Sequence, residues 1–114
     1  MEINHSYYQG LSKEDLLFLI GESLQQEHRH AFPPNPQNFK KIGERWLKEN
    51  MEKIRDVVCS SPKIKSLINS DIAILASAIG DLVVGIFTGI APMTVAYLII
   101  KTGLDQFCKN FAVK

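Results

Sequence analysis

The stretch from Leu82 to Ile100 reads LVVGIFTGIAPMTVAYLII, nineteen residues without a charge. A run of about 20 apolar residues is what a bilayer-spanning helix needs, and it is also what the middle of a helical bundle contains. Asp81 and Lys101 flank the run as interface residues would. Gly85 and Gly89 form the GxxxG spacing found where membrane helices pack. Three features weigh against a span. Gly89-Ile90-Ala91-Pro92 reads as a helix stop followed by a helix start. Pro92 to Ile100 is then only about 14 Å long, at 1.5 Å per residue. Ser77, Asp81 and Thr88 leave a polar stripe on the preceding helix, and a carboxylate at membrane depth costs several kcal/mol. The stretch is therefore expected to form a hydrophobic hairpin sheltered by the chain's other helices. Insertion of residues 71–100 into a bilayer is the alternative.

Those other helices are legible from periodicity. Between Gln37 and Val58, Phe39, Ile42, Trp46, Leu47, Met51, Ile54, Val57 and Val58 recur at steps of three and four. Charged residues fill the remaining faces, and Glu44–Lys48 and Glu49–Lys53 have the spacing of helical ion pairs. Ser12 and Asp15 have the form of a capping box for a first helix carrying Leu16, Leu17, Ile20 and Leu24. AFPPNP, with three prolines in four residues, cannot continue that helix. The expected organisation is a single all-α domain, a compact bundle of about five helices. It has an N-terminal arm at 1–11, helix 1 at 12–30, a proline-rich connector at 31–36 and helix 2 at 37–59. A short helix 3 covers 62–69, helix 4 covers 71–88 and helix 5 covers 92–109. Gly80 and Gly85, with Ala76, Ser77 and Ala78, would let neighbours approach helix 4 closely.

Composition narrows function mostly by exclusion. The 114 residues carry a net charge of +1 and 46% hydrophobic residues. That balance gives no basic excess for nucleic acid and no signature of disorder. MEINHSYYQG has neither the basic nor the apolar segment of a secretory signal. Cys59 and Cys108 sit among apolar residues outside any CxxC pair. They read as buried free thiols of a cytoplasmic protein, with a disulfide as the alternative that spacing cannot decide.

Few residues invite chemistry. His28-Arg29-His30, with His5, raises a metal site, but histidines two apart on a helix diverge and zinc needs three or four convergent ligands. Asp81 is a lone carboxylate on an apolar helix, so it must be paired, protonated or exposed. A partner among Arg45, Arg55 and Tyr97 is expected; a general base in a pocket is the functional alternative. Trp46 is either core or a binding hot spot, and its place in the apolar stripe favours core. Tyr7 and Tyr8 either pack back on the fold or belong to an arm that meets a partner. No catalytic residue and no cofactor is expected.

One resemblance adds to this. FKKIGERWLKENMEKIRDVVC and TVAYLIIKTGLDQFC carry a Gly-x-x-Trp on an amphipathic helix, an Arg before a helix-ending Cys, and a closing Gly-Leu-x-x-Phe-Cys. This pattern, from Phe39 to Cys108, resembles small all-helical bacterial proteins encoded beside defence or conflict-system effectors. The resemblance implies an adaptor or regulator, partnered by another protein or by a second copy, and transfers no site residues. The functional expectation is a non-enzymatic interaction module of a bacterial cytoplasm. Its rivals are a membrane-active protein at the inner membrane and a small ligand-binding or enzymatic domain built on Asp81.

Overall fold

The computed structural model describes residues 5–27, 36–87 and 89–109. Among them are seven helices and no strand: α1 (His5–Gln9), α2 (Lys13–Glu27), α3 (Pro36–Val58), α4 (Pro62–Leu67), α5 (Ile72–Val83), α6 (Pro92–Thr102) and α7 (Leu104–Phe107). The radius of gyration is 14.2 Å, close to the ~13 Å of a compact chain this long.

Local chemistry sets most boundaries. Proline opens α3, α4 and α6, where a missing N–H costs nothing and its φ is already helical. Ser61 caps α4 by accepting from the Ile64 amide, and Asp71 caps α5 by accepting from Ala73. At α2 the box forms as expected: the Ser12 amide donates to Asp15 Oδ2 at 3.0 Å and the Asp15 amide to Ser12 Oγ at 3.1 Å. The backbone bond from Ser12, then its hydroxyl, hold the Asp15 carboxyl below its ordinary value of 3.8. A carboxylate depressed in the folded state stabilises it above that ordinary value, and the contribution is lost as pH falls through the folded value. Replacing Ser12 with alanine should move the Asp15 pKa back upward, read directly from its carboxyl carbon shift in an NMR titration.

Three expected boundaries move. The N-terminal arm contains α1, which packs on α6. Helix 4 was expected to reach 88, but α5 ends at Val83, its cap closed by a Val84 amide bond to Gly80. Val83, Val84 and Gly85 are poor helix formers in succession, and Gly89 turns the chain with φ of 82°. Helix 5 was expected to run to 109, but Gly103 takes φ of 93° and divides it into α6 and α7. A positive φ suits glycine because no Cβ clashes. Along α3 the paired charges are Lys40 and Glu44 at 3.9 Å, not the two pairs expected.

The uncharged stretch is thus broken between Val83 and Pro92. Among the described residues no helix is long and apolar enough to cross a membrane. Every residue from Met93 to Ile99 is buried, which makes α6 apolar and covered on all sides. Tyr97, Leu98 and Ile99 belong to one buried cluster with Leu16, Ile20, Ile54 and Ile79, all nearly without solvent contact. Each such side chain contributes about 1.5–3 kcal/mol on burial. α6 is packed by α5, α2, α1 and α7, and α2 lies along α3.

α2 and α3 approach each other closely at two glycines. An added Cβ on Gly21 would sit 2.6 Å from the Phe39 carbonyl carbon, and one on Gly43 would sit 2.8 Å from that of Leu17. Gly80 has a lesser version of this role against the Met93 side chain, whereas Gly85 faces open space and packs nothing.

The two cysteines are joined. Cys59 follows α3 and Cys108 follows α7, with Cα atoms 5.7 Å apart. This corrects the free-thiol expectation. The reason is topological: α6 and α7 bring the 49-residue separation back to the end of α3. Arg55 secures the same corner, its Nε donating to the Phe107 carbonyl at 2.7 Å and its guanidinium lying over the Phe107 ring.

Candidate functional site

Asp81 lies on the outer face of α5, in the same row as Ile74 and Ser77. It is exposed, and none of its expected partners reaches it. The Tyr97 hydroxyl is 2.6 Å from His5 Nδ1, Arg55 is committed to Phe107, and Arg45 is an exposed residue of α3. The physical reason is the helical phase. Ala76, Ile79, Gly80 and Val83 take the inward face of α5, which turns position 81 to water.

Asp81 does border a cleft of about 390 Å³. Leu67, Ala73, Ile74 and Ala78 give it an apolar wall, and Lys63, Ser77, Asp81 and His5 bring polar groups to it. The combination of hydroxyl, imidazole and carboxylate is that of a proton relay, so its geometry decides the matter. A relay requires nucleophile-to-base and base-to-orienter hydrogen bonds. Among the described residues no such bond joins Ser77, His5 and Asp81. His5 instead uses Nδ1 on Tyr97, a fully buried residue whose hydroxyl has to find a partner. With Tyr8 stacked on the Tyr97 ring at 5.4 Å and Lys101 Nζ donating to the Gln9 carbonyl at 2.6 Å, this is a clasp that holds α1 on α6. Nothing in the sequence signalled it, because its partners are 92 residues apart.

The remaining candidates separate cleanly. Trp46 is half-buried and meets Phe87 edge-on at 4.8 Å, a packing role. Tyr8 stacks on the Tyr97 ring, while Tyr7 is 51% exposed with its ring edge-on to Tyr8. His28, Arg29 and His30 lie outside the described residues. Among those described, no three His, Cys, Asp or Glu side chains gather as metal ligands.

Two surface features were not anticipated by residue. One is a set of large aliphatic side chains left in water around α4 and α5: Ile68, Ile72, Ile74 and Val84, 44–58% exposed. The other is a groove of about 660 Å³ between α2 and α3, floored by Leu17, Leu47 and Met51. The periodicity of α5 carried a signal for Ile74 alone, since Ile72, Leu75 and Ile79 share one face and Ile74 points the other way. Set beside family models, curated proteins and solved structures, the chain matches none of them.

Proposed function

We propose that this chain is a non-enzymatic protein–protein interaction module, an accessory or regulatory component of a bacterial, defence-related system. We read its helices as a bundle whose hydrophobic hairpin, α5 and α6, is covered by α2 and α3. The observation that supports the functional reading is the set of exposed aliphatic side chains on and beside α4 and α5. Ile68 follows α4, Ile72 and Ile74 open α5, and Val84 closes it. Four branched apolar side chains left this exposed favour a contact surface, with Ile74 the most exposed of the three isoleucines.

The charges around them favour a second copy as the occupant. α4 offers only cations, Lys63 and Lys65, and α5 with its cap offers only anions, Asp71 and Asp81, all exposed. A two-fold contact brings one patch against itself, so separated charges on neighbouring helices become complementary when α4 faces the other copy's α5. The Cys59–Cys108 bond favours an oxidising compartment over the cytoplasm as the place of action.

Light scattering on the purified chain tests this reading. The wild type should show twice its 12.8 kDa mass at high concentration. Ile74→Asp should return it to monomer with little change in melting temperature, because the side chain is 54% exposed. A chain that stays monomeric at every concentration, or a variant that dimerises unchanged, overturns self-pairing through this face.

A further inference from the structure

The α2–α3 groove has a different character, and we infer that it receives an acidic amphipathic helix from another protein. The inference goes beyond self-pairing and does not depend on it.

Its shape comes from α3. Lys40, Glu44, Leu47, Lys48, Met51 and Arg55 all border the groove. Their spacings of four, seven, eight, eleven and fifteen residues place them on one stripe of a continuous helix. From first to last that stripe runs about 22 Å, the length of a helix of about 15 residues. Across it, α2 contributes Lys13, Glu14 and Leu17.

The floor is apolar and recessed. Leu17 is only 5% exposed, and Leu47 and Met51 are half-buried beside it. An unbranched methionine adapts to the shape of an incoming side chain. The rim is cationic: Lys13, Lys40, Lys48 and Arg55 stand against Glu14 and Glu44. That is a local charge of +2, in a chain whose whole net charge is +1. Lys40 and Glu44 already neutralise each other at 3.9 Å, which leaves three cations facing one carboxylate. The Phe107 carbonyl that accepts from Arg55 satisfies a donor without cancelling the charge.

This pattern selects among occupants. A helix with leucines along one face and carboxylates beside them would cover the floor and meet the rim. A bilayer needs apolar side chains that protrude, and these lie below the lysines. Nucleic acid would bring phosphates against Glu14 and Glu44 and would gain little from the floor.

The test uses the full chain and a labelled synthetic helical peptide of about 18 residues, with leucines on one face and glutamates elsewhere. Fluorescence anisotropy should report binding that weakens with added salt. Lys13→Glu with Lys48→Glu should weaken it about tenfold, since two exposed pairs are lost and two repulsions appear. Leu47→Ser should weaken it as well, while circular dichroism remains that of the wild type. The Ile74→Asp variant should bind the peptide as the wild type does, which separates this surface from the self-pairing face. Equal binding of a peptide with lysines in place of glutamates overturns the inference. So does indifference to the double reversal. Binding to vesicles of anionic phosphatidylglycerol that the same double reversal abolishes, without peptide binding, also overturns it and assigns the groove to lipid.

Discussion

Replacing Gly43 with alanine should destabilise this protein by about 3 kcal/mol or more, above the usual range for one added methyl group in a core. The reason is what the methyl would strike. Its carbon would lie 2.8 Å from the Leu17 carbonyl carbon and 3.2 Å from Leu17 Cα, which are backbone atoms of a continuous helix. A side chain can rotate away; helical backbone moves only if α2 and α3 separate. Gly21→Ala is the same experiment from the other helix, with Phe39 backbone 2.6–2.8 Å from the new carbon. The two substitutions should be less than additive, because helices already pushed apart by one methyl accommodate the second more cheaply. Gly85→Ala is the control: nothing lies within 4 Å, and stability should change little. Urea denaturation of the wild type, the three single variants and the Gly21/Gly43 double variant measures all of this. Equal, small losses for Gly43 and Gly85 would show that α2 and α3 do not touch where Gly43 faces the Leu17 backbone.

The second large effect belongs to the disulfide. Removing it by Cys59→Ser with Cys108→Ser should cost about 4 kcal/mol, the chain-entropy value for freeing a loop of some 50 residues in the unfolded state. The separation of 49 residues is the operative quantity. Wild type in reductant should match the double variant, and both should gain a steeper urea dependence, since an uncrosslinked unfolded chain exposes more surface. The loss falls on one corner of the fold. α7 is four residues long and keeps its place through the Cys59–Cys108 bond, Phe107 burial and the Arg55 bond to Phe107. Arg55→Ala should therefore be tolerated in oxidised protein and poorly tolerated in reduced protein. If reduction leaves the urea midpoint where it was, the covalent link contributes nothing that α7 packing does not already supply.

What the sequence disclosed depended on the range of the interaction. α3 was legible because its stripe, from Phe39 to Val58, repeats over about five and a half turns at 3.6 residues each, and its charges have nowhere to go but water. Pro36, Pro62 and Pro92 announced helix starts because their fixed φ acts within a single residue. Gly103 did not disclose its break: helix 5 was expected to run through it to 109, and only its positive φ separates α6 from α7. Gly21 and Gly43 were silent: a glycine inside a helical pattern looks like a small defect, and only the neighbouring backbone makes it a contact. Asp81 was legible as an anomaly but not in its outcome. Its exposure depends on how far α5 is rotated about its axis, which the buried residues of other helices decide. The disulfide and the His5–Tyr97 bond needed the chain to return on itself across 49 and 92 residues, and no local pattern records such a return. Of the candidate surfaces, the exposed isoleucines were half visible as an apolar excess. The α2–α3 groove was not, since each of its helices alone reads as an ordinary amphipathic one.

The clasp between α1 and α6 has a consequence during synthesis. His5 leaves the ribosome 92 residues before Tyr97, so until α6 is made α1 lacks the surface it rests on. At some 5–20 residues per second that interval lasts about 5–20 seconds. Tyr8 is then a solvent-facing aromatic ring for the same interval, and a nascent chain stalled anywhere before α6 would present it to whatever factor samples newborn polypeptides. Docking of α1 therefore waits for α6, and it reports that α6 has been made.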